Sequence, residues 1–216
     1  IHTGCGNLGT YSVSSTARVA AEVLDVAWEN SVVVSGRSEN HLPWTESQAG
    51  SKTVFTSSRR TWMAAMDAKT KLQEIAAKDL GGAPGDYELK NETVVGNGKS
   101  MTFAQAAKRA VALGGKYDGH ELPEDINPMT TRSATAMAGT GLIGVAKDTL
   151  KKNGNVPGLV VGFAEVEVDT ETGTVDIIDY LAMNDVGTVL HPQGLSQQSL
   201  GGGVHGFGMA LMERHV

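Results

Sequence analysis

Cysteine is almost missing from this sequence, and its scarcity excludes more than any other count. The 216 residues hold one, Cys5, so a disulfide within the chain is impossible, as is a four-cysteine zinc or iron–sulfur site. Long apolar runs are also lacking. Nothing approaches 18 consecutive apolar residues, so no helix is expected to span a bilayer. A basic excess is absent too: 18 Lys and Arg stand against 24 Asp and Glu, a net charge of −6. That balance leaves no electrostatic footprint for nucleic acid or an anionic membrane surface. No fixed-period repeat suggests a solenoid, and no Pro- or Ser-rich linker divides the chain. Apolar and charged contents of 40% and 19% are ordinary for a globular protein. Glycine is the outlier, with 27 residues gathered in runs. The opening Ile1-His2-Thr3-Gly4 reads as the tail of a strand, and an apolar stretch through Leu211-Met212-Glu213 stops without a cap. Both ends are therefore expected to be cut from a longer chain.

Pattern predicts a mixture of helices and strands, α+β or α/β. A helix is expected over Ser14 to Leu24 with Val19, Val23 and Leu24 inward, and a short buried strand over Ser31 to Val34. A long helix follows, Thr56 to Lys78, with an inward stripe of Trp62, Ala65, Met66, Leu72, Ile75 and Ala76. Tyr87 to Val95 reads as a strand or hairpin ending at Gly96-Asn97-Gly98. Thr102 to Leu113 reads as a helix capped by Thr102. Gly114 to Asn155 has little pattern, and the small residues Ser133 to Gly141 suggest a packed loop. Val160 to Val168 alternates around Phe163, Val166 and Val168, turns at Thr170 to Gly173, and returns over Val175 to Ala182. A glycine-studded helix, Leu195 to Met212, closes the chain.

Three features bear on chemistry. Gly4-Cys5-Gly6-Asn7-Leu8-Gly9 fits G-x-G-x-x-G between a strand and a helix, as a dinucleotide fingerprint should. Yet the next strand ends in Ser35-Gly36, with no carboxylate for a ribose hydroxyl, and a purely structural glycine turn is the other reading. Gly98-Lys99-Ser100 resembles the end of a P-loop, but Thr93 stands where the first glycine must be. The second feature runs from Pro43 to Thr56. Small and hydroxyl residues (Ala49, Gly50, Ser51, Thr53) lead into the long helix, whose unpaired first amides and dipole favour an anion. Ordinary capping by Ser or Thr is the alternative. The third is Asp185-Val186-Gly187, His191-Pro192, and Gln197 to Gly208. Each interior helix glycine costs about 1 kcal/mol, so five of them in eight residues require close packing or a large ligand. Gln198 is suited to pair with a heterocycle. His191 and His205 lack the carboxylate spacing of a metal site and read as hydrogen-bonded or surface side chains.

The ordered segments "GCGNLGTYS…ARVAAEVL", "PWTESQAGSKT", "GFAEVEVDTETGTVDIIDY" and "NDVGTVLHPQGLSQQSLGGGVHGFGMALME" together resemble the C-terminal half of the molybdopterin-binding subunit of molybdenum hydroxylases. This is the xanthine dehydrogenase/aldehyde oxidase family. The resemblance covers nearly the whole chain and is weakest over Gly114 to Val156. It implies that residues 1–216 are part of a second molybdopterin-binding domain, incomplete at both ends. It also implies a molybdenum ion held by a pterin dithiolene, with no protein ligand to the metal. Water-derived oxygen would be added to an aldehyde, a purine or another N-heterocycle, aryl-CoA thioesters remaining open. Electrons would leave through iron–sulfur clusters, then FAD or another acceptor. One cysteine cannot hold such clusters, so iron–sulfur and flavin domains or subunits, and the rest of the molybdenum subunit, are implied partners.

By position, the resemblance implies that Leu8, Gly9 and Thr10 belong to the glycine-rich loop near pterin and metal. The family often has glutamine or threonine at Thr10, and usually glycine where Tyr11 stands. Gly50, Ser51 and Thr53 match the loop that binds the cofactor's phosphate end through backbone amides. Gln198 matches a glutamine that hydrogen-bonds the pterin or metal ligands, and His191 replaces the usual asparagine before proline. The family's catalytic glutamate lies in a Gly-Glu motif C-terminal to this region. Glu213 is not that residue, and none here is assigned as catalytic. Two rival readings stand beside the resemblance: a dinucleotide-binding oxidoreductase built on Gly4 to Gly9, and a non-catalytic scaffold of the same fold.

Overall fold

One long helix organises the first part of the molecule. In the computed structural model, which describes residues 1–151 and 157–214, the chain divides into two units, Ile1–Lys151 and Lys152–Val216. The organising helix of the first unit, α2, spans Thr53–Leu80, beyond both expected ends. Its buried face is Ala65, Ala68, Lys71, Leu72, Ile75 and Ala76. Trp62, expected inward, is 37% exposed, and Met66 is half-buried. The helix before it, α1 (Ser12–Leu24), packs on α2. Its buried residues are small: Ser12, Ser15, Thr16, Ala17, Ala20 and Ala21. The expected Val19, Val23 and Leu24 are only half-buried. A seam of Ala, Ser and Thr brings helix axes close and leaves no room for an indole.

Beyond α2, three short strands form an antiparallel meander: β1 (Glu88–Lys90), β2 (Thr93–Gly96) and β3 (Lys99–Thr102). The turns are Asn91-Glu92 and Asn97-Gly98, and all four residues have positive φ, the two-residue hairpin geometry that matches strand twist. Helix α3 (Phe103–Leu113) begins at Thr102, whose side chain accepts from the Gln105 amide, and the Gln105 side chain accepts from the Thr102 amide in return. Leu72, Ile75, Tyr87, Val94, Met101, Ala106, Ala110 and Tyr117 close the core. The Tyr87 hydroxyl donates to the Gly81 carbonyl at 2.6 Å, satisfying the one polar atom of a buried ring.

Two expectations fail in this unit. Ser31 to Val34 is not a buried strand: only Val34 makes a bridge, parallel to His2, and Val32 is 71% exposed. A β-branched run becomes a strand only where a partner edge lies alongside, and here the partner, Ile1 to Thr3, bonds Val32 and Val34 without forming a ladder. Ser133 to Gly141 is not simply a loop. Helix α4 covers Pro128–Met137, with the Asn127 side chain accepting from the Met129 amide and Pro128 at the first turn. Residues 152–155 of the poorly patterned stretch lie outside the described residues.

In the second unit, β4 (Leu159–Val168) and β5 (Val175–Asp185) form an antiparallel hairpin, longer than expected at its open end. Asp169 shapes the turn, its carboxylate accepting from the Glu171 amide at 2.8 Å. A register shift lies between Glu165, opposite Asp179, and Val166, opposite Ile177. Helix α5 (Pro192–Leu211) packs on β5. Tyr180 and Phe207 meet edge to face at 5.0 Å. Both sheets are antiparallel, so the described residues contain no doubly wound parallel sheet of the kind a dinucleotide fold needs.

Candidate functional site

The first two sequence features converge in space. The loop from Gly4 to Tyr11 lies against the segment from Pro43 to Lys52. A Cβ on Gly4 would stand 2.4 Å from the Pro43 carbonyl oxygen, so glycine is required for this approach. Gln48 joins the two: its Oε1 accepts from the Gly6 amide at 2.7 Å, and its Nε2 donates to the Gly6 carbonyl at 2.8 Å. Between them Cys5 is buried, and burial pushes its thiol up, partly opposed by a Ser57 hydrogen bond. A protonated, enclosed thiol is not poised as a metal ligand.

Leu8, Gly9 and Thr10 occupy the turn that precedes α1. Leu8, Gly9 and Tyr11 have left-handed backbone, φ 47°, 70° and 56°. The Leu8 side chain is 71% exposed, and Thr10 closes the turn by donating its amide and hydroxyl to the Asn7 carbonyl. Gly50 and Ser51 are also left-handed, φ 61° and 54°, and exposed. Non-glycine residues adopt this region at a cost and concentrate where function demands it. Thr53 is the first residue of α2. The residue before it, Lys52, makes no side-chain cap, so the expected Ser or Thr capping is not what this helix start uses. Its first amides have no intrahelical acceptor. They carry the positive end of a 28-residue helix, beside Gly50, where an added Cβ would meet nothing within 4 Å. That combination suits a phosphate-bearing ligand.

Charged groups frame the helix start. Glu46 accepts from Lys52 Nζ at 2.8 Å and from the Arg60 guanidinium. The Lys52 bond, then Arg60, holds its carboxyl down at about 2. Arg59 pairs with Asp148 through two nitrogens, at 3.0 and 3.1 Å. Burial works to raise the Asp148 carboxyl, but the Arg59 bond leaves it below its usual range. Arg60, Thr45 and Ser57 also border a cleft of about 980 Å³ between α2 and the 125–148 region. None of Leu8, Gly9, Thr10, Gly50, Ser51 and Thr53 lines that cleft.

Gln198 lies in the second unit, exposed on α5. His191, expected to be hydrogen-bonded or at the surface, caps this helix: its Nδ1 accepts from the Gly194 amide at 2.8 Å. It therefore performs the task an asparagine performs at such a position. Packing explains Gly203, where a Cβ would meet the Tyr180 ring at 2.7 Å, but Gly201, Gly202 and Gly206 face open space. Among the described residues no group of three or more His, Cys, Asp and Glu is arranged to hold a metal ion, and no helix is long and apolar enough to cross a membrane. Sequence reasoning missed Gln48, although it lies inside the Pro43 to Thr56 segment.

Comparison with known proteins identifies the family and the fold. The family described as the molybdopterin cofactor-binding domain matches residues 1–216. The aldehyde oxidoreductase molybdenum-binding subunit PaoC of Escherichia coli (strain K12) is 26% identical over 213 residues, which are 99% of this chain and 25% of that protein. The probable hypoxanthine oxidase XdhD of the same strain is 25% identical over 217 residues, all of this chain and 20% of that protein. This chain thus spans a quarter or less of these relatives. The crystal structure of the Cu,Mo-CO dehydrogenase superposes with a TM-score of 0.63 at 23% identity, over 92% of this chain and 22% of that one, which establishes a shared fold. With a family match over its full length, the chain belongs to the molybdopterin cofactor-binding domain family of the molybdenum hydroxylases.

Proposed function

We propose that this chain forms part of the cofactor cradle of a hydroxylase that oxidises an aldehyde or an N-heterocycle, purines included, with oxygen from water. The observation that carries the proposal is the uncapped start of α2, open at Gly50 and Ser51, held against the left-handed turn at Leu8 and Gly9. Backbone amides of Gly50, Ser51 and Thr53 would bind the phosphate end of the cofactor. Leu8, Gly9 and Thr10 would line its pterin and metal end, and the Gln198 amide would hydrogen-bond the pterin or the metal's non-protein ligands. The bound group supplies the two-electron chemistry at the substrate carbon. The protein binds it, orients it and shields it from water.

The donor set fits such a group. Amides and one carboxamide match phosphate oxygens and a heterocycle's edge. A single buried cysteine cannot carry iron–sulfur clusters, so clusters, and FAD where used, belong to partner domains or subunits. The test is molybdenum and iron analysis of the native complex, with pterin fluorescence after oxidation. About one molybdenum and one pterin per chain are expected, with iron in partner polypeptides. In the same complex Gln198→Ala is expected to lower molybdenum content or turnover while the fold is kept. A folded native complex free of both molybdenum and pterin sinks the proposal.

A further inference from the structure

We propose that Gln48 is a positioning residue for cofactor binding, its amide pairing with both polar atoms of Gly6 and so fixing the distance between the Gly4–Tyr11 loop and the start of α2. This inference rests on the cofactor-binding reading above. A primary amide offers a donor and an acceptor side by side, the same pair that a strand offers its neighbour. Gln48 uses both, at 2.7 and 2.8 Å, across 42 residues of sequence. Glutamate keeps the acceptor but loses the donor, and methionine keeps the length and loses both.

The clamp sits where a small displacement matters to both loops. Gly6 is two residues before Leu8, and Gln48 two before Gly50. The left-handed residues that follow, Leu8 and Tyr11 on one side and Ser51 on the other, persist only where their surroundings over-determine them. Contact is tight enough that a Cβ on Gly6 would stand 2.9 Å from Gln48 Oε1. On the outer side, an added Cβ on Gly9 or Gly50 would meet nothing within 4 Å. Gln48 thus ties the loops at their bases and leaves their outer backbones free for a ligand. A ligand held by several backbone amides gains from such preorganisation, because the ordering cost is met during folding.

The experiment uses the native complex carrying Gln48→Met or Gln48→Glu. It follows molybdenum and pterin retained through prolonged dialysis, with hydrogen exchange at the Gly6 amide. For Gln48→Met, faster Gly6 exchange and about tenfold faster cofactor loss are expected, with the melting temperature close to that of the parent. Gln48→Glu is expected to lose cofactor rapidly at pH 8. It should recover toward parental retention as pH falls to about 4, below the ordinary glutamate value near 4.3, where a protonated carboxyl again donates to the Gly6 carbonyl; Gln48→Met should show no recovery. Should Gln48→Met fail to fold, the pH pair on Gln48→Glu decides alone. Parental retention in Gln48→Met despite fast Gly6 exchange, or no pH-dependent recovery in Gln48→Glu, overturns this inference while the cofactor reading stands. A parent complex without molybdenum and pterin overturns the cofactor reading, and this inference with it.

Discussion

Lys71 is 5% exposed in the first unit, a rare place for an ammonium group. Its Nζ donates to the Ile143 carbonyl at 2.8 Å and pairs with Asp67 at 2.6 Å. Asp67, one turn earlier on α2, accepts from the Val145 amide at 2.9 Å. The two side chains therefore pin a returning segment whose backbone touches the helix: a Cβ on Gly144 would lie 2.5 Å from the Ala64 carbonyl oxygen. Lys71→Met keeps the stem and removes the charge. Loss of a charged donor to a buried carbonyl costs about 1.5–3 kcal/mol. Breaking a fully buried ion pair costs about 3–5 kcal/mol, but the Asp67 side chain is 26% exposed and water can rehydrate it. The combined loss should settle near 2 kcal/mol of local stability, since these costs overlap.

Native-state hydrogen exchange at Val145 reads that loss directly, because this amide bonds the partner carboxylate. Exchange should quicken about 30-fold, the equivalent of about 2 kcal/mol. Asp67→Asn added to Lys71→Met removes the uncompensated carboxylate and should restore about 1 kcal/mol, a coupling that independent sites would not show. A Val145 rate within about threefold of the parent's would refute the clamp as a source of local stability.

Two further outcomes follow from the same structure. Glu46 is held at about 2 in the fold, below its ordinary range near 4.3, so its contribution is present above that range and lost as pH falls through about 2; an acid titration followed by Trp fluorescence should show a transition that Glu46→Gln flattens between about pH 4.5 and 2. On α5, Gly203→Ala should destabilise the second unit by about 1–3 kcal/mol against the Tyr180 ring, whereas Gly202→Ala should raise helix stability by about 1 kcal/mol yet lower molybdenum occupancy, read by melting and metal analysis together.

What was legible in the sequence was local. The cap at Thr102 and the Asn97-Gly98 turn each involve residues within a few positions, and each forms as its chemistry dictates. Asn127-Pro128 was an equally clear helix start, hidden by the small residues after it. Ser31 to Val34 failed for the opposite reason, since strand propensity says nothing about whether a partner edge is present. Helix α1 inverted the usual rule: its close contact with α2 buries Ser, Thr and Ala and leaves its valines half out. At the site, each loop was readable from its glycines and hydroxyls. Their junction was not, because Gln48 and Gly6 meet across 42 residues and nothing in either segment announces the other.

The glycines of α5 carry the functional reading one step further. Each of them weakens a helix interior by about 1 kcal/mol relative to alanine, so each needs a neighbour that forbids a methyl group. Tyr180 is that neighbour for Gly203, and it is wedged from the other side by Gly162, whose Cβ would meet the Tyr180 hydroxyl at 2.9 Å. No neighbour exists within the described residues for Gly201, Gly202 or Gly206. Gly201 and Gly202 follow Gln198 by three and four positions, so they share its face of the helix. A carboxamide flanked by bare backbone, on a face that internal packing does not explain, is what a flat heterocycle pressed against α5 would require. The three unexplained glycines together cost about 3 kcal/mol of helix stability, a loss that the cofactor of the proposed function would offset on binding this face and that the unit's own packing does not.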